Sequence, residues 1–178
     1  MIRIVLPSLA LVLAALPAHA ILDETEPPPD PTPTVTCADG HVWDAQRGRC
    51  MPATDPGFSD DALFRAAREL AHAGRWDAAI AVAGAMRDAQ GDRALTVSGF
   101  AHRKAGRTDL GMDLYRQALD RNPDNLLARS YKGMAHVEAG DLDAARAELA
   151  EIEARGGERT WAAEALSLAL RQGAGFVY

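Results

Sequence analysis

The sequence predicts an all-α protein, an α-solenoid of three helical hairpins closed by one capping helix. Three observations predict it. A six-residue phrase recurs, HAGRWD ending at Asp77, KAGRTD at Asp109 and EAGDLD at Asp143, and its glycines Gly74, Gly106 and Gly140 lie 32 and 34 residues apart. Small residues keep phase with it: Ala67, Gly99 and Gly133 stand seven before each glycine, and Ala79, Gly111 and Ala145 five after. Alanine is dense after the turn Asp55-Pro56-Gly57, and no proline intervenes until Pro123, so helical periodicity can run unbroken.

Before the repeats come three segments of different composition. Residues 1–20 read as a secretory signal peptide: Arg3 supplies the positive start, Ile4 to Leu16 an apolar core of suitable length, and Ala18-His19-Ala20 a small-x-small cleavage site. A spanning helix needs roughly 20 apolar residues, and Pro7 and Pro17 interrupt this shorter run. No cysteine at the cleavage point offers a lipid attachment. The mature chain is expected to be soluble, without stable membrane insertion, and secreted across the inner membrane into the periplasm. Residues 21–36, ILDETEPPPDPTPTVT, read as an extended, semi-rigid acidic tether.

Cys37 and Cys50 bracket CADGHVWDAQRGRC, which reads as a hairpin over residues 37–52. Asp39-Gly40 and Arg47-Gly48 are turn signals, and His41-Val42-Trp43 is a short strand. In an exported protein the two cysteines are most simply partners in one disulfide. The spacing is not the C-x-x-C of a redox pair. Cys37, Cys50 and His41 are too few ligands for a closed metal site. A structural staple and a small recognition surface centred on Trp43 remain.

The solenoid is expected over residues 58–172. Ser59 is placed to cap its first helix, with Phe58 packing on Leu63 as a hydrophobic staple. Each repeat is a helix, a turn at the glycine and an antiparallel second helix. The glycine can take the left-handed conformation after the first helix, and the aspartate three residues on suits the dipole at the start of the second. One such hairpin cannot bury its apolar face, but a stack can. The units run Asp60 to Gly91, Leu95 to Asn125 and Leu126 to Gly157; the first is the weakest and two residues short. Glu158 to Arg171, with Trp161, Ala165 and Leu168 in one line, reads as the capping helix, and residues 173–178 as a flexible tail.

Period, turn and small-residue positions resemble the tetratricopeptide repeat. The second unit matches best, with Gly99, Gly106, Gly111, Tyr115, Ala118, Leu119 and the closing Pro123. The third keeps Tyr131, Gly133, Gly140, Ala145 and Leu149 but not the proline. The resemblance implies a right-handed α-solenoid whose first helices line a concave peptide-binding groove. Carried over position by position, the groove would hold Phe64, Arg68 and His72, then Arg93, Thr96, Phe100, Arg103 and Lys104, then Leu127, Ser130, Met134 and Glu138. Phe64, Phe100 and Met134 would form an apolar strip, and Arg68, Arg93, Arg103 and Lys104 a basic end suited to acidic peptides. Thr96 and Ser130 depart from the set that clamps a terminal carboxylate in one subgroup of the family, so that clamp is not expected.

Composition excludes several functions. The chain is 178 residues with a formal charge of -6, which opposes the counterion-displacing contacts of nucleic-acid binding. No G-x-S-x-G, H-E-x-x-H or P-loop pattern occurs, so no enzyme is expected. His102 and His136 hold equivalent places and read as packing residues rather than metal ligands; no cofactor or metal is expected. Phe176-Val177-Tyr178 has the form of a carboxy-terminal recognition signal or of residues packed on the capping helix. The function expected is a protein–protein adaptor or assembly factor in the cell envelope. The alternative is a cell-wall glycan binder using the hairpin at Trp43, with the solenoid as spacer.

Overall fold

The computed structural model describes Pro27 and residues 35–174. The signal peptide, most of the acidic tether and the tail motif Phe176-Val177-Tyr178 lie outside the described residues. In chain order the elements are β1 (His41–Asp44), β2 (Arg49–Pro52), α1 (Asp60–His72), α2 (Trp76–Ala83), α3 (Asp92–Lys104), α4 (Thr108–Arg121), α5 (Leu126–Glu138), α6 (Leu142–Ala154) and α7 (Trp161–Gln172). Helices α1/α2, α3/α4 and α5/α6 form antiparallel hairpins, and α7 covers the last of them by packing on α5 and α6.

The recurring phrase makes the same turn three times. Gly74, Gly106 and Gly140 have φ of 76°, 83° and 78°. The amide after each glycine donates back to a carbonyl five residues earlier: Arg75 to Leu70, Arg107 to His102 and Asp141 to His136, each at 2.9 Å. This left-handed cap satisfies carbonyls that the helix end leaves open, and a side chain at φ near +80° would be strained. Asp77, Asp109 and Asp143 then fall in the first turns of α2, α4 and α6, where a negative charge is favourable. Ser59 caps α1 as expected, accepting from the amide of Ala62 at 3.2 Å.

The small residues allow the backbones to touch. A Cβ on Gly111 would sit 2.7 Å from the carbonyl oxygen of Gly99, and one on Gly99 would sit 2.8 Å from the Tyr115 ring. Helices α3 and α4 therefore meet main chain to main chain, with Tyr115 wholly buried beside them. The first hairpin departs from the period. Helix α2 ends at Ala83, and turns replace its last stretch because the Asp60 carboxylate accepts from the amides of Arg87 (2.9 Å) and Asp88 (3.2 Å).

The N-terminal hairpin is built as expected and sits where the sequence does not say. Cys37 and Cys50 are bonded, and β1 pairs antiparallel with β2 in the register Trp43↔Cys50. Val42 and Ala53 belong to the same buried cluster as the solenoid core, and Asp39 accepts from Arg75, at the α1–α2 turn, at 2.5 Å. The hairpin thus covers part of the α1 face that a preceding repeat would otherwise bury.

Candidate functional site

Helices α1, α3 and α5 lie in succession and bring the expected groove residues together, but not as an open strip. Phe64, Phe100 and Met134 are 1%, 4% and 2% exposed and belong to the main core. The reason is tertiary. The ring of Phe100 lies 4.7 Å from His72 of α1 and 4.6 Å from Tyr131 of α5, and Tyr131 in turn meets Trp161 of α7 edge-on at 6.2 Å. The Arg68 guanidinium lies 5.9 Å from the Trp161 ring, so α1 and α7 approach each other across this face. The concave side is filled by the chain's own aromatic and cationic side chains. Thr96 and Ser130 are buried too: Thr96 Oγ1 donates to the Asp92 carbonyl at 2.6 Å, and Ser130 Oγ to the Ala162 carbonyl at 2.8 Å.

The basic end is likewise altered. Arg68 and Arg103 are buried. Arg103 donates through Nε to Tyr115 Oη at 3.4 Å and through Nη1 to Glu138. Lys104 reaches the other Glu138 oxygen at 3.2 Å, and Arg93 pairs with Asp61 at 2.5 Å while lying 4.2 Å above the Phe64 ring. Carboxylates from neighbouring helices therefore neutralise three of the four cations that the sequence groups into a basic lip, Arg93, Arg103 and Lys104. Burial pushes the Glu138 carboxyl up, yet the hydrogen bond and charge of Arg103 outweigh it, and its pKa falls below the ordinary glutamate range. Of the four expected cations, Arg93 and Lys104 keep the most solvent access, with side chains 30% and 26% exposed.

Sequence reasoning overlooked Tyr131 and Trp161 as the residues that close this face. It also overlooked the part of His72. Tyr131 Oη and His72 Nε2 share a 3.0 Å hydrogen bond between α5 and α1. Burial, then the charges of Arg68 and Lys104, push the His72 pKa down to about 3. The unfolded chain thus binds a proton near pH 6.5 that the native state refuses until far lower. The stability held above that pH is lost as pH falls, with a slope approaching about 1.4 kcal/mol per pH unit. His72→Gln, which keeps a hydrogen-bonding group but cannot titrate, is expected to flatten the decline between about pH 6.5 and about pH 5 in urea unfolding. Equal slopes in wild type and variant would contradict this account.

His102 accepts from Arg107 Nε at 2.7 Å, and His136 Nδ1 lies 3.8 Å from Asp141. Among the described residues no group of three or more His, Cys, Asp or Glu side chains is placed to hold a metal. None of their helices is long and apolar enough to cross a membrane.

A second concavity lies at the other side of α1. The hairpin and α1 enclose a cavity of about 400 Å³, lined among others by Trp43, Phe58, Arg65, Glu69 and Leu70. The Glu69 pKa is raised by burial alone. No sequence signal could show this cavity, because it exists only where the hairpin leans on the helix.

A family model described as tetratricopeptide repeat matches residues 102–168, from the end of α3 through most of α7. Comparison with curated proteins and with solved structures returns no significant match. Tetratricopeptide repeats support a general role in protein–protein interaction. Residues 102–168 thus match the tetratricopeptide repeat, and the repeated glycine turn and paired helices give the first hairpin the same helix–turn–helix form.

Proposed function

We propose that the protein is a non-enzymatic adaptor or assembly factor of the bacterial periplasm, binding a segment of an envelope protein along the rim of its concave face. The observation that carries this reading is the stack of tetratricopeptide hairpins, an architecture that presents successive helices to one partner. The disulfide suits an oxidising compartment. Because Phe64, Phe100 and Met134 are core, the contact falls to Arg93 and Lys104 at the rim. A partner carboxylate would compete there with Asp61 and Glu138 for two partly exposed cations, and exchange between ion pairs that reach solvent costs little.

The test is cross-linking in intact cells, with wild type beside Arg93→Glu/Lys104→Glu. Both positions are partly exposed, so the variant is expected to fold, as circular dichroism would verify. One stoichiometric envelope protein captured by wild type and lost from the variant is the expected result. Equal capture by both would remove the rim from the argument.

A further inference from the structure

The cavity between hairpin and α1 is the place where the surface departs most from the ordinary. Val35 and Trp43, at 39% and 41% exposure, are two of the four large apolar residues left exposed among the described residues, and both line it. On the opposite wall stand Arg65 and Glu69, four residues apart on α1 and hence on one face. Neither side chain is in a close hydrogen bond or ion pair with another described residue, although the Arg65 charge acts on Asp61 one turn earlier, whereas the neighbouring Arg75 is held directly by Asp39. The cavity therefore combines a partly exposed indole, apolar lining that includes Phe58 and Leu70, and the guanidinium of Arg65 and carboxylate of Glu69, each outside any close hydrogen bond.

That combination selects by charge. A cationic ligand meets Arg65, and an anionic one meets Glu69. A neutral polyol satisfies both, because its hydroxyls accept from a guanidinium and donate to a carboxylate. The apolar C–H face of a sugar ring can lie on the indole. A volume of about 400 Å³ is at the small end of ligand pockets, room for one or two rings. We propose that this cavity binds a neutral saccharide of an envelope glycan, with a ring stacked on Trp43 and hydroxyls held by Glu69 and Arg65. The solenoid is then half of the site rather than its spacer. The proposal is independent of the adaptor reading and concerns the opposite side of α1.

The test is titration of the full mature chain with chitotriose and with cellotriose, followed by tryptophan fluorescence and calorimetry. The expected result is saturable binding of at least one of them. Affinity is expected to fall about tenfold or more in Trp43→Ala and in Glu69→Ala, with Trp43→Phe retaining most of it. Arg93→Glu/Lys104→Glu is expected to bind saccharide as wild type does, and Trp43→Ala to keep any cross-linked protein partner, so that the two readings fail separately. Absence of saturable binding by folded wild type would overturn the proposal. So would undiminished affinity in a folded Trp43→Ala chain, or tighter binding of a lysine-rich or glutamate-rich hexapeptide at the same residues.

Discussion

Glu138→Ala is expected to destabilise the protein by about 3 kcal/mol, the low end for breaking a buried ion pair, since the carboxylate side is partly open to water. The Arg103 side chain is only 2% exposed. Its partners are Tyr115 Oη and the Glu138 carboxylate, and Nη2 is already buried without a partner among the described residues. Truncation at position 138 would leave a guanidinium in the core with one neutral phenol. Glu138→Gln should fall between wild type and Glu138→Ala, because the amide oxygen still accepts but carries no charge. An exposed pair supplies the control: Arg146–Asp143 has side chains 61% and 97% exposed, and Arg146→Ala should cost no more than about 0.5 kcal/mol. Urea unfolding measures all three, and equal costs for Glu138→Ala and Arg146→Ala would refute the buried-charge argument. The pH dependence follows the same sign as that of His72. The folded-state pKa of Glu138 is lowered, so its contribution is present above the ordinary glutamate value of 4.5 and is lost as pH falls below it. The two groups separate by window, His72 acting from 6.5 downward and Glu138 only in the more acidic range.

Breaking the disulfide is the second large effect. The link spans a sequence separation of 13 residues, and closing a loop of that size removes roughly 3 kcal/mol of unfolded-chain entropy. A two-stranded hairpin has little stability of its own. Here it is held by the disulfide, by Val42 and Ala53 in the shared core, and by the Arg75–Asp39 pair. Cys37→Ser/Cys50→Ser is therefore expected to loosen the hairpin while the helices persist. Helical circular dichroism at room temperature should change little, the emission of Trp43 should shift toward that of a fully hydrated indole, and the melting temperature should fall. If reduced and oxidised protein melt together, the staple contributes nothing that the solenoid does not already supply. A saccharide site built jointly by hairpin and α1 would be lost on reduction, whereas an adaptor contact at Arg93 and Lys104 would survive it.

Much of this molecule is legible in one dimension because its determinants are local. A left-handed turn needs glycine at a set distance from the preceding helix, so Gly74, Gly106 and Gly140 announce three hairpins. A close helix pair needs glycine facing glycine, so Gly99 and Gly111 announce their contact. Two cysteines close in the chain, with no third to compete, announce their pairing. The end of α2 was not legible, because Asp60 captures the amides of Arg87 and Asp88 across a gap of 27 residues and more.

The sequence by itself determined the repeat, its turns, its close-packed glycines and the disulfide, each of which depends on residues near one another along the chain or in phase with its period. Only the tertiary structure decided what the surface offers. It brought Asp61 to Arg93 and Glu138 to Arg103 and Lys104, so that a basic lip became a row of ion pairs. It turned Tyr131 and Trp161 into the concave face, so that an apolar strip became core. It set the hairpin beside α1, so that Trp43 gained a cavity with Arg65 and Glu69 on its far wall. The physical reason is common to all three: exposure and pairing depend on which helix faces arrive opposite one another, and that depends on packing across the whole stack.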